Sequence, residues 1–121
     1  MKIGTIGTGF ITDWVLGQML EYKENIYEAI YSRKEETALF LKDKYNVNKV
    51  YTDLEKMLSD TDIDTIYVAS PNSVHYEQAK KALLAGKHVL CEKPFTTTSE
   101  ELKELINIAK EKHLYLFEAI L

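Results

Sequence analysis

Apolar positions in this chain follow two rhythms that take turns. Short, near-continuous apolar runs predict strands over Lys2–Ile6, Ile26–Tyr31, Lys49–Thr52, Asp64–Ser70, Lys87–Cys91 and Leu114–Ile120. Between them, apolar residues recur at helical spacing. From Phe10 they fall at 10, 11, 14, 15, 16, 19 and 20, which predicts a helix with a wide buried face that includes Trp14 and Met19. A second helix is expected over Lys34–Tyr45 with Ala38, Leu41 and Tyr45 on one face, and a short third one carries Leu54, Met57 and Leu58 behind an Asp53 cap. A fourth runs from a Ser73 cap to about Ala85, and a fifth opens at Ser99 and Glu100 with Leu102, Leu105, Ile106 and Ala109 facing the core. Gly86 suits a left-handed helix end, while Pro71 and Pro94 stop the strands before them.

Strand and helix alternate throughout, so the expected class is α/β: a doubly wound parallel sheet of about six strands with helices on both faces. The Thr65-Ile-Tyr-Val-Ala69 run lacks the polar alternation of a half-exposed strand, as a strand covered on both faces should. Residues 1–121 then form one domain, long enough for a core of its own.

Composition narrows the partners. The net charge is −4, so no basic surplus draws nucleic acid, and no apolar run approaches the length of a membrane span. The start of the chain enters a strand without a secretory signal, and Cys91 is the single cysteine, so no intrachain disulfide forms. A cytoplasmic location is the expectation. Cys91 itself reads as a buried thiol.

Doubly wound sheets bind ligands at the carboxyl ends of their strands, where the strand order switches. The segments with chemistry in this chain, Gly7–Gly9, Ser32–Lys34, Ser70–Asn72 and Glu92–Pro94, each follow a strand end. Strand, glycine turn and helix is the order of a dinucleotide site: Gly7 permits a tight reversal and Gly9 has no Cβ to hold a pyrophosphate off the backbone. The helix from Phe10 would direct its free N–H groups at the same pyrophosphate. Thr12 stands where this fingerprint has Gly or Ala. Taken alone, each segment also fits a plain structural reading: a tight turn, a solvated basic helix start, a proline stop, an ordinary strand exit. Their arrival at one edge favours a nucleotide site.

Gly7-Thr-Gly9, Ser70-Pro-Asn-Ser-Val-His75 and Ala85-Gly-Lys-His-Val-Leu-Cys-Glu-Lys-Pro94 together resemble the N-terminal domain of the glucose–fructose oxidoreductase, inositol dehydrogenase and MocA family. The resemblance spans essentially the whole chain, and its later two motifs are more specific than the glycine turn. It implies a Rossmann domain that binds NAD or NADP in an oxidoreductase acting on a sugar, cyclitol or similar small hydroxyl or carbonyl compound. By that resemblance Gly7, Thr8, Gly9, Phe10 and Ile11 form the pyrophosphate turn. Ser32 and Arg33 lie by the adenosine ribose. Ser70, Pro71, Asn72 and His75 lie toward the nicotinamide, with local packing as the simpler role for His75. Glu92, Lys93 and Pro94 form the signature segment, in which Lys93 sits by the nicotinamide ribose and the substrate as the catalytic candidate. No acid stands at the ribose position, and Ser32, Arg33 and Lys34 could hold a 2′-phosphate, which tilts the expectation slightly toward NADP. Glu118 could border the substrate pocket. No metal is expected.

Family members continue into a C-terminal α/β substrate domain, which carries a catalytic histidine and the usual dimer surface. That domain is not in this sequence, so catalysis by these residues alone is not expected, and apolar surface left at its docking site is a route to a homodimer. Two other readings stay open: a cofactor sensor of the same fold that binds without turnover, and an S-adenosylmethionine-dependent methyltransferase, which the Ser70–Asn72 and Glu92–Pro94 segments disfavour.

Overall fold

The computed structural model describes residues 2–7, 27–69, 74–92 and 98–119. The helix expected from Phe10, with Thr12, Trp14 and Met19, lies outside them, as does the Ser73 cap. Among the described residues there are six strands, β1 (Ile3–Ile6), β2 (Tyr27–Tyr31), β3 (Lys49–Tyr51), β4 (Thr65–Val68), β5 (His88–Glu92) and β6 (Leu116–Ala119). Four helices lie between them: α1 (Glu35–Tyr45), α2 (Leu54–Leu58), α3 (His75–Leu84) and α4 (Ser99–Glu111). All strand pairs are parallel and the sheet order is β3-β2-β1-β4-β5-β6. The chain therefore builds outward from β1 to β3, crosses back, and builds the other half from β4.

Each element starts and stops for local reasons. The Asp53 carboxylate accepts the N–H groups of Glu55 and Lys56 at 3.0 and 3.3 Å and so caps α2. The Thr98 hydroxyl caps α4 by accepting the Glu101 N–H at 3.1 Å. Asn46 ends α1 in the left-handed region, and Gly86 (φ 84°) turns the chain from α3 into β5.

Two apolar clusters lie against the sheet. Tyr27, Ile30 and Val47 pack with Ala38, Leu41 and Tyr45 of α1, the face expected from the sequence. The larger cluster joins Ile6, Ala29, Ile66, Val68, Val89 and Cys91 of the strands to Met57, Leu58, Ala79, Ala82, Leu83, Leu105 and Ala109 of α2, α3 and α4. β4 is buried along its whole length and Cys91 is fully buried, both as expected. Ile106 is a correction: it is 38% exposed. The apolar stripe of α4 centres on Leu105 and Ala109, and Ile106 is turned about 100° away from Leu105, past the edge of the buried arc.

Buried polar side chains of β1 and β2 are held by hydrogen bonds. The Thr5 and Tyr27 hydroxyls share a 2.6 Å hydrogen bond, and burial raises the Tyr27 phenol above its usual range. The register of β1 on β2 shifts between Ile3 and Gly4, and the carboxylate of Glu28 at that shift accepts the Asn48 amide at 3.0 Å.

Candidate functional site

Strand register brings the sequence segments of interest to one edge. Ile6 pairs with Tyr31 on one side and Val68 on the other, Val68 pairs with Cys91, and Cys91 with Glu118. The residues that follow this row leave the carboxyl edge of the sheet side by side. β1 and β4 are the central pair, and from them the chain departs in opposite directions, which makes the space above them the switch point of the fold. The Ala69 N–H donates to the Ile6 carbonyl at 2.8 Å, so the two strands are held together up to their last residues.

Gly7 sits directly above β1 with φ 108°, a conformation costly for any residue with a Cβ. Thr8, Gly9, Phe10 and Ile11 lie outside the described residues. Above β2, the Ser32 N–H donates to the Tyr51 carbonyl at 3.1 Å, and the Ser32 hydroxyl accepts the Lys34 N–H at 3.2 Å. Ser32 is buried by this turn, whereas Arg33 and Lys34 face solvent. Among the described residues neither cation has an ion-pair partner, so two positive charges stand open at the end of β2. A dinucleotide carries its negative charge on phosphates, and this combination of a Cβ-free turn and open cations fits one.

Above β4, Ser70, Pro71 and Asn72 lie outside the described residues. His75 opens α3 with 1% of its surface exposed, the environment of a packed side chain. Glu92 is the last residue of β5, paired in register with Ala119, while Lys93 and Pro94 lie outside the described residues. The structure thus brings Gly7, Ser32, Arg33 and Glu92 to one edge of the sheet.

Sequence reasoning missed a polar network at the opposite, amino edge. Lys87 is 7% exposed, and its ammonium donates to the carbonyls of Asp60 and Ile63 at 2.7 and 2.6 Å. Burial lowers that ammonium from the usual lysine range, against the charges of Asp60 and Asp64. The Asp60 carboxylate accepts from Lys49 Nζ at 2.9 Å, the Tyr51 hydroxyl at 2.6 Å and the Asp62 N–H at 2.9 Å. Its burial opposes ionisation, but the Tyr51 and Lys49 hydrogen bonds outweigh burial and bring it down to about 2. The pattern of apolar residues carries no sign of this network, because its members are apart in sequence and meet only through the crossover. Among the described residues no group of His, Cys, Asp and Glu side chains could hold a metal ion, and no helix is long and apolar enough to cross a membrane.

Comparison with known proteins gives concordant results. The family model described as an oxidoreductase family with an NAD-binding Rossmann fold matches residues 1–119. The scyllo-inositol 2-dehydrogenase (NADP(+)) IolU of Bacillus subtilis is 38% identical over 120 residues, covering 99% of this chain and 37% of that protein. An uncharacterised oxidoreductase of Schizosaccharomyces pombe is 41% identical over 119 residues, covering 96% of this chain and 32% of its own. The crystal structure of KijD10, a 3-ketoreductase of Actinomadura kijaniata in complex with NADP and TDP-benzene, superposes with a TM-score of 0.91 at 32% identity, over 98% of this chain and 36% of KijD10. The chain therefore spans about a third of the length of the relatives it matches.

Proposed function

The chain belongs to the GFO/IDH/MocA oxidoreductase family as its NAD-binding Rossmann domain, and from that premise we propose that it holds the nicotinamide cofactor of a hydride-transferring enzyme that acts on a sugar, a cyclitol or a similar small hydroxyl or carbonyl compound. The observation that carries the reading is the convergence of Gly7, Ser32, Arg33 and the end of β5 on one sheet edge at the switch point. The relatives named for scyllo-inositol and for a 3-keto reduction support the substrate class. The substrate domain of the parent protein lies beyond residue 121 in this reading, and the working location is the cytoplasm.

Within the site, Gly7, Thr8, Gly9, Phe10 and Ile11 wrap the pyrophosphate with backbone N–H groups. The bound nicotinamide supplies the hydride acceptor or donor. Ser70, Pro71 and Asn72 would border it from the β4 side, while His75, buried at the start of α3, packs locally. Lys93 is the residue after β5, and its ammonium would stabilise negative charge on the reacting oxygen and hold or release its proton, with Glu92 and Pro94 as its neighbours in the signature segment. Arg33 and Lys34, open to solvent and unpaired among the described residues, bind the 2′-phosphate and favour NADP over NAD.

Titration of the purified chain with NADPH and NADH, followed by nicotinamide fluorescence or calorimetric heat, tests this. Saturable binding is expected, tighter for NADPH, and Arg33→Ala should weaken NADPH by about tenfold with little effect on NADH, the loss of one charge-assisted contact. The absence of saturable binding of either nucleotide below about 1 mM rejects the cofactor site in this chain.

A further inference from the structure

Lys87 is a buried ammonium for which the cofactor site has no use. It stands at the amino edge of the sheet, one residue before β5, and both of its carbonyl partners belong to the segment that leads from α2 into β4. That segment is held from two further directions. Asp60, whose carbonyl Lys87 grips, has its carboxylate on Lys49 and Tyr51 of β3. The N–H groups of Asp64 and Thr65 both donate to the Lys2 carbonyl, at 3.0 and 3.2 Å, and the His88 N–H donates to the Asp64 carbonyl at 2.9 Å. The entrances of β1, β4 and β5 are thus tied together through residues 60–65, with the Lys87 ammonium crossing to them from the start of β5.

A buried ammonium is costly unless its hydrogen bonds are short and its donors are aimed, and packing alone would be served as well by methionine. What an ammonium adds over methionine is direction: it fixes two specific carbonyls relative to the start of β5. β5 is five residues long and ends next to Lys93, while β4 is four residues long and ends two residues before Ser70. Both strands therefore run from the pinned edge to the cofactor edge within four or five residues.

We infer that Lys87 is a positioning residue for the cofactor edge: by pinning the Asp60 and Ile63 carbonyls to the start of β5, it sets the relative position of the carboxyl ends of β4 and β5. The inference rests on the proposed cofactor site for its consequence, and on the hydrogen bonds of Lys87 for its mechanism.

Lys87→Met keeps the length and apolar stem and deletes the donors. The expected result is a folded chain with a lower melting temperature whose amide spectrum changes near Asp60–Asp64 and also at Ala69 and Glu92, on the far edge. NADPH affinity, measured well below the melting temperature, should fall about tenfold, since a misplacement of about 1 Å in a positioned site costs up to about 100-fold. A purely structural lysine would lower the melting temperature while leaving the amides of Ala69 and Glu92 and the affinity unchanged, and that outcome overturns the proposal. Should Lys87→Met not fold, Lys87→Gln, which retains an amide donor on a shorter stem, is read by the same two measurements. If the native chain binds neither nicotinamide nucleotide, the cofactor reading fails, and the amide spectrum alone then decides on Lys87: changes confined to residues 59–65 and 86–88 refute it, and changes at Ala69 and Glu92 uphold it.

Discussion

Gly4 shows how much one missing Cβ decides. It lies in the middle of β1, where a Cβ would meet Met57 Sδ and Ile63 Cδ1 at 3.3 Å and Ile66 Cδ1 at 3.4 Å. The side chains of the crossover therefore lie directly on the central strand, and α2 is drawn against the sheet at the point where β1 and β4 pair. A single methyl there needs its neighbours to yield by a few tenths of an ångström, and the flexible Met57 thioether can supply part of that. Valine cannot be accommodated so simply. Gly4→Val is expected to destabilise the chain by about 1–3 kcal/mol through overpacking, read as a lower urea midpoint at unchanged slope. A midpoint equal to the native one would mean that α2 is free to retreat and does not bear on β1. From the sequence, Gly4 is simply one more residue of a short apolar run. The crowding around it comes from Met57, Ile63 and Ile66, more than fifty residues away, and no local pattern encodes that.

Among the elements, the crossover from β3 to β4 depends on charge. Its helix, α2, has only five residues, and Asp53 caps it. Its exit is tied to β3 by the Asp60 carboxylate through Lys49 and Tyr51. In the folded chain the Asp60 carboxyl titrates at about 2, below the ordinary value of about 3.9 that it has when unfolded. A carboxyl depressed in this way contributes stability that is complete above its unfolded value and is lost as pH falls through its folded value. The melting temperature of the native chain should therefore decline between about pH 4 and pH 2 more steeply than that of Asp60→Asn, which is less stable at neutral pH but has no charge to lose at that position. Parallel decline of the two proteins would show that Asp60 adds nothing to the acid limb. The Asp53 cap and the Gly86 helix end were legible in the sequence, because Asp53 and the amides it holds are neighbours and because Gly86 follows a completed helical pattern, whereas the Thr98 cap of α4 was not expected. The faces of α1 and α2 were legible for the same reason. The Lys87 and Asp60 network was not, since an isolated lysine before a strand looks the same whether it points to water or to two buried carbonyls. Ile106 was misjudged because apolar spacing marks the centre of a buried stripe better than its rim.

At the level of the whole molecule the two edges of the sheet have different work. The amino edge is dense with fixed polar contacts: Lys2 with Asp64, Lys49 with Asp60 and Asp62, and Lys87 with Asp60 and Ile63. At the carboxyl edge stand a glycine at positive φ and two cations facing solvent, which is an arrangement that a bound anion would complete. This edge was legible in the sequence because glycine, proline and basic residues after apolar runs announce strand ends, and parallel topology then brings such ends together. How the four segments meet a ligand was not legible, because that depends on backbone directions set by the whole sheet. Apart from Lys87, whose hydrogen bonds couple the two edges, substitutions are expected to separate by edge. Gly7 is the described residue that tests it most directly, as its φ of 108° is open to glycine and costs an alanine about 1–2 kcal/mol. Gly7→Ala should therefore lower the melting temperature modestly while weakening NADPH by more than about tenfold, because the added Cβ and the displaced turn both act where the pyrophosphate approaches the backbone. Asp60→Asn, at the other edge, should do the reverse and lower stability with a smaller effect on affinity. Native affinity in Gly7→Ala, measured by the same fluorescence titration, would place the phosphate elsewhere than above β1 and β4.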